Sequence, residues 1–87
     1  MKFTDLKWNP TGLASDQAKH TFENGYTVSV ITGNHAYGNS SAPYELAVMF
    51  DGKLCYDTPI TDDVLGYLTA KEVEEIMQQI EALPARR

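Results

Sequence analysis

The tripeptide Glu23-Asn24-Gly25, set between two alternating runs, constrains this chain more than any other feature of it. Asn-Gly is the strongest short-range hairpin signal, because Gly, and to a lesser degree Asn, accept a positive φ. The flanking runs are Ala18-Lys19-His20-Thr21-Phe22 and Tyr26-Thr27-Val28-Ser29-Val30-Ile31. A two-residue turn would pair Glu23 with Tyr26 and set Lys19, Thr21 and Glu23 beside Tyr26, Val28 and Val30. A three-residue loop ending at Gly25 pairs Phe22 with Tyr26 and brings Ala18, His20 and Phe22 onto that face instead. One face of such a hairpin has to be buried. That requirement selects the three-residue loop, with Gly25 in the left-handed bulge position.

The same logic predicts a second hairpin. Tyr44–Met49 runs through Phe50-Asp51-Gly52 into Lys53–Asp57. A three-residue loop sets Val48 against Leu54 and Leu46 against Tyr56, and Pro59, with no N–H to donate, ends the strand. A helix follows. Thr69 is its N-cap, Glu72 completes a capping box, and Leu68 and Val73 staple the entry. Val73, Ile76, Met77, Ile80 and Leu83 form an apolar stripe at helical spacing, and Pro84 stops the helix. Glu72, Glu74 and Glu75 load its N-terminal end, where the macrodipole favours negative charge. Thr61–Gly66 reads as one helical turn and Phe3–Trp8 as an additional strand; Leu13–Lys19 is ambiguous, a short helix leading into the first hairpin being one reading of it. The fold class expected is α+β, a single domain over residues 1–87. Its antiparallel sheet has about four strands, from two hairpins, with one amphipathic C-terminal helix packed on it.

A chain of 87 residues buries a modest core, and one cysteine, Cys55, excludes an internal disulfide. Such a fold stands on packing or on self-association, so a homodimer is a live expectation. A lone Cys suits a reducing cytoplasm. The N-terminus alternates charged with apolar residues and matches neither a signal peptide nor a membrane span. The formal net charge is −5, unevenly spread. Residues 1–43 balance three lysines against three acids, whereas residues 44–83 carry nine acids and two lysines. A field of this sign repels nucleic acid and anionic membrane, and it favours a protein partner with a basic surface.

No complete catalytic or metal-binding signature is present, and no cofactor is expected. Cys55 with His20 or His35 would make a thiol–imidazole pair, but Cys55 sits among apolar neighbours, where a packing thiol is the plainer reading. Asp57, Asp62 and Asp63 lack calcium-loop spacing. The most suggestive segment is the 33–43 loop. It is longer than a usual hairpin connection, and its His35, Tyr37 and Asn39 among Gly and Ser resemble an adaptable binding surface. It has no phosphate-loop pattern. The second candidate surface is the acidic stretch of Asp57, Asp62, Asp63, Glu72, Glu74 and Glu75, which could occupy a basic groove.

Asn24–Ile31, Tyr44–Val48, and the run from Leu54 through Asp57-Thr58-Pro59-Ile60-Thr61-Asp62-Asp63-Val64 to Leu68-Thr69 resemble a group of small proteins of tailed bacteriophages. The likeness covers roughly residues 22–83. It carries no catalytic or binding residue across. It implies a bacterial host cytoplasm, where small acidic phage proteins bind and block host proteins such as CRISPR effectors and restriction enzymes. The expectation is therefore a non-enzymatic inhibitor of a host protein. A homo-oligomeric accessory module and a small ligand-binding protein are the alternatives.

Overall fold

A computed structural model describes residues 1–12, 15–33, 41–54 and 64–85. Within them the chain forms strands β1 (Trp8–Gly12), β2 (Ser15–Thr21), β3 (Tyr26–Gly33), β4 (Tyr44–Phe50), β5 (Lys53–Leu54) and β6 (Leu65–Leu68). Helix α1 (Ala70–Glu81) follows, and a 3-10 turn over Phe3–Asp5 precedes β1. The fold is α+β, as the sequence predicts. The sheet has six strands among the described residues, where two hairpins alone supply four. All pairings are antiparallel, in the order β1-β2-β3-β4. The far edge of β4 is shared: β5 pairs with its Phe50 end and β6 with its Tyr44 end.

The first hairpin has the expected register. Ala18 faces Val30 and His20 faces Val28. The Phe22 N–H donates to the Tyr26 carbonyl at 2.8 Å, and the loop closes with Gly25 at φ +93°. The second hairpin does not. Met49 pairs with Leu54 and Phe50 with Lys53, so the turn is the two residues Asp51-Gly52, at φ +53° and +78°. Positive φ at both central positions is the type I′ geometry, whose twist matches that of the strands it joins. The shift of one residue turns Leu54 away from the Val48 face, and Leu54 is left 44% exposed.

Three further expectations change. Phe3–Asp5 forms a 3-10 turn rather than a strand, because local bonds compete successfully. The Asp5 carboxylate accepts the Lys2 N–H at 2.9 Å, and the Asp5 N–H donates to the Lys2 carbonyl at 2.9 Å. Ser15–Lys19 is strand, not helix. It is paired on both sides, with Ala18 1% exposed between Trp8 and Val30, and burial between two neighbours overrides weak local preference. Leu65 and Gly66 begin β6 instead of ending a helical turn. Thr61–Asp63, Pro59 and Cys55 lie outside the described residues.

One face of the sheet carries the core. Val28, Val30, Leu46 and Val48 lie beneath α1, which buries Val73, Met77 and Ile80 completely. Burying side chains of this size stabilises by about 1.5–3 kcal/mol each. The N-cap is as predicted: the Glu72 N–H donates to Thr69 Oγ1 at 3.2 Å, and the Thr69 N–H donates to Glu72 Oε1 at 2.9 Å. The C-terminal end is closed from elsewhere. Asn24, in the first hairpin loop, donates Nδ2–H bonds to the carbonyls of Ile80 at 2.8 Å and Leu83 at 3.0 Å, with a longer one to Glu81 at 3.4 Å. Its Oδ1 accepts the Tyr26 N–H at 3.1 Å, so one side chain shapes the turn and caps the helix. Phe3, Trp8 and Tyr44 close the β1 end of the core, with ring centroids 5.1–6.0 Å apart.

Candidate partner-binding surface

The helix carboxylates have different occupations. Glu72 is held in the capping box. Glu74 turns toward the N-terminal segment, where its Oε1 accepts the Phe3 N–H at 2.7 Å. Glu81 pairs with the Met1 ammonium at 3.1 Å. Glu75 is exposed and shares a shallow surface groove of about 280 Å³ with Glu72, Ile76 and Gln79. Glu72 and Glu75 thus lie together on the outer helix surface, while Glu74 binds the 3-10 segment. Asp57, Asp62, Asp63, His35, Tyr37 and Asn39 lie outside the described residues.

The strand entering this helix presents a residue that pattern reading missed. Along β6, Leu65 faces Leu46 and Leu68 faces Tyr44, so two residues, Gly66 and Tyr67, oppose the single Glu45. This is a β-bulge. Its cause is the spacing of the two leucines. Side chains alternate along a regular strand, so residues three apart point to opposite faces, and an extra residue lets both turn inward. Leu68 is buried and Leu65 partly so. Tyr67 absorbs the irregularity at φ +56°, a conformation that costs a residue with a Cβ about 1–2 kcal/mol. Its side chain is 60% exposed. Leu65-Gly66-Tyr67-Leu68 carried the signal: two leucines three apart in a short extended run, with a glycine between them.

Tyr67 and Leu54 are the two exposed large hydrophobic residues among those described, and both stand on strands along the far edge of β4. That edge continues into the N-terminal turn of α1, where Glu72 and Glu75 face outward. An exposed aromatic on the strand that leads into an acidic helix turn suits docking of a protein chain. Aromatic side chains supply large contact area at low entropic cost, and sheet edges accept added strands. Among the described residues no group of three or more His, Cys, Asp or Glu is placed to hold a metal ion, and every buried side-chain polar atom has a hydrogen-bond partner. No described helix is long and apolar enough to cross a membrane. Comparison with protein-family models, with curated proteins and with solved structures finds no match to this chain.

Proposed function

We propose that this protein is a non-enzymatic binding module that docks onto a protein with a basic surface and inhibits it. Tyr67 is the apolar anchor, and Glu72 and Glu75 are its acidic companions; Asp57, Asp62, Asp63, His35, Tyr37 and Asn39, which lie outside the described residues, are the further contacts that the sequence offers. The likeness to small phage proteins makes a host defence enzyme that itself binds nucleic acid, such as a CRISPR effector, the favoured partner. The observation that carries the reading is Tyr67. A bulky side chain held in a left-handed conformation and pointed at solvent costs stability, and such costs concentrate where a residue serves binding.

The test separates that role from a structural one. Tyr67→Gly removes the strain and the anchor together. Fold stability should stay unchanged or rise by up to about 1 kcal/mol, the strain relief being partly offset by glycine's entropy. Affinity for a partner purified from host lysate should fall more than about tenfold, as for an interface hot spot. Glu75→Lys should weaken binding several-fold at low salt and less at high salt. Wild-type affinity in Tyr67→Gly would remove this surface from the account.

A homo-oligomeric module is the second reading, favoured by the exposed Leu54 on edge strand β5. Light scattering across a concentration series decides it, since a concentration-independent monomer rules it out.

A further inference from the structure

The ladder between β1 and β2 ends at the Trp8–Ala18 pair. Before Trp8 the chain leaves the sheet for its 3-10 turn, and the divergence opens a cleft of about 490 Å³ beside β2. Its walls are Met1, Asp5, Leu6, Lys7, Lys19 and His20. In a chain of net charge −5, this lining holds two lysines, a histidine and the N-terminal residue against one aspartate. The Asp5 carboxylate accepts the Lys2 N–H. Among the described residues neither Lys7 nor Lys19 forms a salt bridge, the one ion pair being Met1 with Glu81. The His20 ring packs edge-on against Phe22, with centroids 4.9 Å apart, on the face of β2 that alternation turns away from Lys19. His20 also borders a neighbouring cleft of about 370 Å³ that contains Glu23 and Glu81. The described residues lining that second cleft include Glu23 and Glu81 and no lysine.

We propose that the cleft between the 3-10 turn and β2 binds a small, multiply charged oxyanion, with Lys7 and Lys19 supplying the charge. The chemistry required is that of a phosphoryl group or a cluster of carboxylates. The size of the cleft lies within the range of small-ligand sites. Two lysines are too few to neutralise the successive phosphates of a nucleic-acid strand. The site is separate from the Tyr67 surface and does not depend on it.

Titration of the full chain with inorganic phosphate and, separately, with citrate, followed by amide NMR, tests the proposal. Saturable shifts are expected at residues 5–7 and 19–21. Phosphate binding more tightly than citrate assigns the site to phosphoryl groups, and the reverse order assigns it to polycarboxylates. Lys7→Gln and Lys19→Gln, both at exposed positions, should each weaken binding about five- to tenfold, as expected for loss of a charge-assisted contact. Lys53→Gln and Lys71→Gln, at exposed positions elsewhere, should leave it unchanged. Shifts that fail to saturate, that appear equally around Lys53 and Lys71, or that survive both Lys7→Gln and Lys19→Gln would overturn the assignment.

Discussion

The two hairpin turns begin from similar local chemistry and end in different structural positions. Glu23-Asn24-Gly25 and Phe50-Asp51-Gly52 each place a turn-forming polar residue before a glycine between apolar runs. The first turn is built into the molecule. A Cβ on Gly25 would lie 2.8 Å from Cε2 of Phe50, and Asn24 reaches across to the end of α1. The second turn is free. Nothing lies within 4 Å of a Cβ on Gly52. The loop that tertiary contacts restrain is the three-residue one, and the unrestrained turn takes the two-residue type I′ form that strand twist favours. Turn chemistry thus says that a chain reverses, and the surroundings decide what the reversal holds together.

Substitution should separate the two turns in a graded way. Gly25→Ala should have the largest effect, about 3 kcal/mol in chemical denaturation, combining left-handed strain with overpacking against Phe50. In a Phe50→Leu background, which withdraws the ring, the added cost should drop to about 1–2 kcal/mol. An undiminished cost there would show that the ring contact contributes nothing. Asn24→Ala should come next, at about 2 kcal/mol, since it removes the side-chain donor to the Leu83 carbonyl, one of the donors to Ile80 and the acceptor of the Tyr26 N–H. Asn24→Asp sharpens the point. It keeps a turn-forming residue but offers carbonyl groups a carboxylate that cannot donate, at the negative end of the helix dipole. It should therefore cost at least as much as alanine and speed amide exchange over residues 80–83. Wild-type stability in Asn24→Asp would mean that the hairpin does not cap the helix. Gly52→Ala should be mildest, about 1 kcal/mol from backbone conformation alone.

The candidate site divides along similar lines. Glu72 and Glu75 could be read as outward carboxylates from helical spacing, and they lie so. Glu74 belongs to the same acidic run, but its engagement with the Phe3 N–H depends on where a segment seventy-one residues earlier in the chain comes to rest. Tyr67 was obscured because its neighbourhood suggests a helical turn. Only the pairing of Leu65 and Leu68 with β4 converts it into a bulge.

By itself, the sequence determined the α+β class, the register of the first hairpin, and the start and buried stripe of α1. Each of these rests on short-range physics: the twofold period of a strand, the helical period, and a cap three residues from its partner. Tertiary structure decided that Ser15–Lys19 is a strand, that Asn24 closes the helix, and that Tyr67 faces solvent. Each of those outcomes depends on a neighbour distant in sequence, whose packing or hydrogen bonds outweigh the preference of the local segment.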